Sequence, residues 1–188
     1  MTLDLEIRRN LFHLIFGVAI AFYVLFVGRS ISIISFAVGI LICVFFADCL
    51  QRMKIPVLNW IIKKMEREGQ IPGGGVLTFF IGSLIITSVP WFSMETVFIA
   101  IVLTAVIDSF TVFIGKYYGK VIIYQDKNFL GTFAGFLAGT LAVSPFLTIY
   151  QAAIVCLSGS IVELFLPYDN ITIPITTATV LTILTTLI

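Results

Sequence analysis

The sequence predicts an all-α fold: a polytopic membrane helix bundle of about seven transmembrane helices plus a cytoplasmic interfacial amphipathic helix. Three observations predict it. Apolar residues make up 60% of the 188 and charged residues 11%, with a mean hydropathy of +1.13, well outside the range of soluble domains. The apolar residues fall into runs close to the roughly 20 residues that a membrane span needs. The charged residues collect almost entirely in the connections between those runs.

Taken in order, the runs place spans at about 11–28, 31–47, 76–92, 95–114, 131–149, 151–166 and 171–188, so that residues 1–188 are expected to form a single integral membrane domain. The first run has a basic flank but no small-residue cleavage site at its end, and it is expected to be retained as a span. The longest connection, 48–75, contains "KIPVLNWIIKKMERE". There Leu58, Ile61, Ile62 and Met65 follow the i, i+3, i+4, i+7 spacing of an amphipathic helix lying in the membrane interface. "IPGGG" after it, residues 71–75, reads as a turn.

Charge sets the orientation. Arg8 and Arg9 precede the first span; Arg52, Lys54, Lys63, Lys64 and Arg67 lie between the second and third, and Lys116, Lys120 and Lys127 between the fourth and fifth. Seven alternating spans put these ten on one side and leave only Arg29 on the other, so the N-terminus is expected in the cytoplasm. Most acidic residues fall on that side as well, Glu163 and Asp169 among them, and a site would open there. Cys43, Cys49 and Cys156 show no C-x-x-C spacing and His13 is the only histidine, a pattern that favours packing cysteines over a disulfide framework or a zinc centre.

The stretch "VIDSFTVFIGKYYGKVIIYQDKNFLGTFAGFLAG", residues 106–139, carries the chemistry. Asp108 ends an apolar run, where an ionised carboxylate needs a cation, a partner or water. Gly115 and Gly119 allow close approach of backbone beside Lys116 and Lys120, and Lys127 follows. This is neither the phosphate loop of P-loop NTPases nor a dinucleotide turn. Spacing alone leaves a basic surface loop and a polyphosphate cradle equally open. Gly131, Gly135 and Gly139 share one helical face and predict close helix packing, while Gly131 at the helix start is also a candidate to leave amides open to an anion.

These residues resemble the shared core of two related families of membrane CTP enzymes, the dolichol/phytol kinases and the phosphatidate cytidylyltransferases. Asp108, Gly115, Lys116, Gly119, Lys120, Lys127, Gly131 and Gly135 match the common pattern; Asn128 and Leu130 depart from it, standing where a small hydroxyl residue and a Glu are usual. "EIRRNLFHLIFG" is similar to the opening of the kinase branch through Glu6, Arg8, Arg9, His13 and Gly17, and "VELFLPYDNITIP" to its end through Glu163, Pro167, Asp169, Asn170 and Pro174.

The resemblance implies transfer of the terminal phosphoryl group of CTP to the hydroxyl of a membrane isoprenoid alcohol. It implies Asp108 and Asp169 as Mg2+ ligands, and Asp108, Glu163 and His13 as catalytic groups. Gly115, Lys116, Gly119, Lys120, Lys127, Gly131, Asn170 and Arg9 would bind nucleotide. The expected partners are the lipid alcohol and CTP within the bilayer, with no nucleic acid; a homo-oligomer stays open. The rivals are cytidylyl transfer to a phosphatidate-type lipid and, from a different class, lipid transport. Transport would favour internal repeats with interrupted helices, and no convincing repeat is present.

Overall fold

The computed structural model describes residues 3–53, 73–124 and 127–187. Among these the chain forms seven helices and one short ribbon: α1 (Leu3–Val27), α2 (Arg29–Met53), α3 (Gly74–Ser88), α4 (Met94–Tyr118), β1 (Ile122–Tyr124), β2 (Lys127–Asn128), α5 (Phe129–Val143), α6 (Ile149–Phe165) and α7 (Asp169–Leu187). Each helix overlaps one expected span. The interfacial helix expected within 48–75 lies outside the described residues.

Local chemistry accounts for the boundaries. Gly28 and Gly73 take left-handed φ of 78° and 77°, which glycine adopts without penalty, and they separate α1 from α2 and open α3. Ser93 caps α4 by accepting from the amide of Thr96 at 3.0 Å. Thr148 and Gln151 form a capping box at the start of α6. Tyr168, a non-glycine at φ 62°, turns the chain from α6 into α7, and Asp169 in the first turn suits the helix dipole.

By length and composition, three helical stretches could cross a membrane: Ile7–Val27, Arg29–Cys49 and Met94–Tyr118. The seven-span expectation is thus met in part. α3 and α5 have 15 residues each and α6 has 17, or about 22–26 Å of helix, short of a hydrocarbon core about 30 Å thick. α4 is the axis of the bundle: 72% of its apolar window is buried, against 22% in α1 and 11% in α2.

Small residues let the other helices close on that axis. A Cβ at Gly17 of α1 would stand 2.5 Å from the Cβ of Ala105; at Gly135 of α5, 2.4 Å from Thr111 Oγ1; at Gly159 of α6, 2.9 Å from Ile107 Cδ1. The packing expected of Gly131, Gly135 and Gly139 is therefore real, and α4 is what they pack against. α7 meets α3 in the same way. Pro174 has no amide to offer the carbonyl of Asn170 one turn earlier, and that oxygen would lie 2.1 Å from a Cβ on Gly82.

The two ends of the bundle differ in chemistry. At one end Arg29 donates to the carbonyls of Thr87 and Val89 at 2.7 and 2.6 Å and to that of Phe92, at the end of α3 and in the connection after it. This cation is thereby committed to structure. The opposite end holds His13, Asp108, Lys127, Glu163 and Asp169.

Candidate functional site

The site is built where the end of α4, the ribbon and the α6–α7 turn converge. β1 and β2 pair antiparallel, Ile122 opposite Asn128 and Tyr124 opposite Lys127. The "VIIY" stretch carries the β-branched and aromatic residues of a strand, and the ribbon fixes the direction in which Lys127 leaves the backbone. Lys127 donates to Glu163 Oε1 on α6 and, at 3.0 Å, to Asp169 Oδ2 at the start of α7. The Lys127 side chain is 27% exposed and that of Glu163 not at all.

Burial works against the charge on Lys127, but the attraction of Glu163 and Asp169 outweighs it and raises the ammonium above its ordinary value of 10.5. A raised folded-state value means that, while Glu163 and Asp169 are ionised, the stability that Lys127 contributes through these pairs is whole up to pH 10.5. It is lost only as pH climbs through the raised value.

Asp108 belongs to the same neighbourhood. It lies within electrostatic reach of Glu163, as does Asp169. His13 Nε2 faces Asp108 Oδ2 at 3.5 Å, an ion-pair distance if the imidazole is protonated, but without hydrogen-bond geometry. The His13 ring also stands edge-on to Phe79, 5.4 Å between centroids. α1 is anchored there by the carbonyl of buried Asn10, which accepts from Ser109 Oγ at 3.2 Å. Arg9 is half-buried one turn before His13, on the same face of α1.

Asn128 is the residue whose importance the sequence did not declare. Its Nδ2 donates to the carbonyl of Gly115 at 2.9 Å, and its Oδ1 accepts from the amide of Gly131 at 2.8 Å. It thus caps α5 and clasps the end of α4 in one gesture. A Cβ at Gly115 would lie 2.8 Å from Asn128 Nδ2, and one at Gly119 would lie 2.2–2.4 Å from all three terminal atoms of that side chain. The two glycines of "GKYYGK" therefore make room for Asn128, and the amide of Gly131 itself is taken by it. The signal was present: an Asn immediately before a helical run is an N-cap pattern.

A prediction follows from this fit. Gly119 has φ −72°, open to alanine, so Gly119→Ala should be harmful only through its clash with Asn128. Asn128→Ser, shorter but still a cap, should make Gly119→Ala nearly neutral. Thermal unfolding of the two single variants and the double variant in detergent checks this; additive losses would show that Asn128 is not what the glycine accommodates.

Lys116 and Lys120 are exposed at the end of α4 and after it. Asn170 donates to the carbonyl of Gly75 at 3.1 Å and to Thr78 Oγ1 at 3.3 Å, which ties the start of α7 to the first turn of α3. A recess of about 320 Å³ opens over the cluster, lined by Tyr124, Lys127, Leu164, Phe165, Leu166, Pro167 and Asp169. Cys156 is buried as expected, whereas Cys43 and Cys49 are half-exposed on α2.

Among the described residues no three His, Cys, Asp or Glu side chains converge as a preformed metal centre. The donors fit Mg2+ in another manner. Asp108, Glu163 and Asp169 outnumber the one lysine among them, and Glu163 Oε2 is buried with no hydrogen-bond partner. Mg2+ takes one or two carboxylates and completes its shell from phosphates and water, with no need of an all-protein cage.

Comparison with known proteins finds one informative relative. Over 159 residues, 83% of this chain and 80% of the other, the sequence is 33% identical to "Uncharacterized protein MJ1137" of Methanocaldococcus jannaschii. No protein-family model matches the chain, and no solved structure matches it.

Proposed function

Because the chain belongs to the same family as that Methanocaldococcus jannaschii protein, whose name states no activity, we propose a function from the chemistry of the site itself: phosphorylation of a membrane isoprenoid alcohol by CTP. The products are the lipid phosphate and CDP, and the acceptors are alcohols of the dolichol, polyprenol, phytol or geranylgeraniol type. The observation that carries this reading is the cluster at one end of an apolar bundle. Lys127 is held there between Glu163 and Asp169 with Asp108 close by, under a recess whose walls are largely apolar. A long-chain alcohol matches that contrast, since its chain remains in the bilayer and only the hydroxyl must enter.

Asp108 and Asp169 would hold Mg2+, which when bound would neutralise charge on the triphosphate. Lys127, Lys116 and Lys120 would contact the triphosphate. Lys127 is paired with two carboxylates and would exchange one of them for a phosphate oxygen, keeping its charge compensated. Glu163 or His13 would orient the alcohol and accept its proton. The alcohol oxygen bonds to the γ-phosphorus as the β–γ bridging bond breaks, and CDP leaves. The preference for CTP rests on the resemblance alone.

The same reading places seven spans in the membrane, the three shorter helices sheltered by their neighbours, with the N-terminus and the site on the cytoplasmic side. In a cysteine-free background, single cysteines at positions 118 and 168 should then react with an impermeant reagent from the cytoplasmic face only, and one at 93 from the opposite face. Labelling of 118 and 168 from different faces would break the shared site. A screen of CDP release with CTP, Mg2+ and a panel of lipid alcohols tests the activity. Diphosphate release with a phosphatidate-type lipid would favour the cytidylyltransferase rival instead.

A further inference from the structure

The ribbon between α4 and α5 presents a surface that phosphoryl transfer does not use. Ile122, Ile123 and Tyr124 of β1 are all exposed, as is Val121 before them. A two-stranded ribbon this short is marginal in water, and four apolar residues in a row beside it should not face solvent. Tyr117 and Tyr118, at the end of α4, are exposed next to it. The ribbon also joins two lateral apolar stripes: Phe129, Phe133, Leu137 and Leu141 run down α5 at every fourth residue, and Ile154, Leu157, Ile161 and Phe165 down α6. Tyr124 links it to the second stripe through ring contact with Phe165, 5.8 Å between centroids. These two side chains stand at the recess whose polar floor is Lys127 and Asp169. Tyrosines at the end of apolar stripes are the mark of the membrane–water boundary.

We propose that β1 and the last turn of α6 are bedded in the headgroup layer and form a lateral port, through which a bilayer lipid reaches the recess with its polar end inward and its chain against α6. The inference rests on the membrane part of the reading above and adds the route of entry. The occupant is a lipid, because the port is continuous with stripes that need hydrocarbon along their whole length.

The test is Ile122→Trp in a Trp60→Phe, Trp91→Phe background, reconstituted in phosphatidylcholine vesicles containing phospholipids brominated at defined depths. Quenching should be strong with bromines near the headgroups, weaker with bromines at the chain ends, and slight with aqueous iodide. Iodide quenching without bromine quenching would overturn the proposal, as would emission that is insensitive to brominated lipid and shifts when the protein is diluted, since a second copy would then cover β1. Ile122→Ser with Ile123→Ser should raise the KM for a vesicle-borne alcohol several-fold and leave the KM for nucleotide unchanged. An equal rise in both would also overturn it. The quenching arm reads position without turnover, so failure of the kinase reading and failure of the port give different results.

Discussion

Lys127→Met should destabilise the protein by about 3 kcal/mol, because it leaves the buried Glu163 carboxyl without its cation, unpaired or forced to take up a proton. Removing one partner of a buried pair costs roughly 3–5 kcal/mol, and the lower end applies because Lys127 is 27% exposed. For a chain of this size such a loss lowers Tm by about 6–12 °C. Adding Glu163→Gln removes the stranded charge and should recover most of the loss. Failure of the second substitution to recover stability would mean that Lys127 supports the fold through the ribbon instead of through its ion pairs. Turnover separates stability from chemistry: the double variant should be folded and inactive.

Asp108→Asn should reduce kcat by at least about a hundredfold, the scale on which removing a group that stabilises transition-state charge is felt, while leaving the protein folded in detergent. Asparagine keeps the size and hydrogen-bonding capacity of the side chain and removes the charge that faces His13 and that would hold Mg2+ under the proposed function. If Asp108 serves only to hold His13, the variant should remain active with an unchanged Mg2+ requirement, and the carboxylate returns to a structural role. His13→Gln supplies the contrast. It should slow the reaction less and leave the Mg2+ dependence as it was.

The helices were legible because the physics that writes them is local. Apolar runs mark their own neighbourhoods, and every described helix overlaps an expected span. What could not be read was how far each helix reaches into hydrocarbon. Sequence gives apolar length, whereas shelter by neighbours is a property of the assembled bundle, and α3 and α5 are too short to cross on length alone.

The site shows the same division. Asp108, Lys127, Glu163 and Asp169 could be named from charges placed against apolar runs, and folding brings them to one end of the bundle. The Lys127 pairing with both Glu163 and Asp169 joins residues 36 and 42 positions apart, beyond any local rule. Gly115 and Gly119 were legible as close-approach residues, but what approaches them is Asn128. That required the ribbon, which folds the chain back on itself within ten residues.

The proposed transfer of the γ-phosphoryl group of CTP to a lipid hydroxyl can be read from the fate of each phosphorus. Purified protein is incubated with Mg2+, a long-chain isoprenoid alcohol and CTP labelled in parallel at the γ- or the α-phosphorus, and label is followed into the organic phase. γ-Label is expected to enter the lipid, α-label to stay in water as CDP, and Lys127→Met with Glu163→Gln to abolish the transfer. Entry of α-label into lipid, or no γ-label transfer to any alcohol by folded protein, would contradict it.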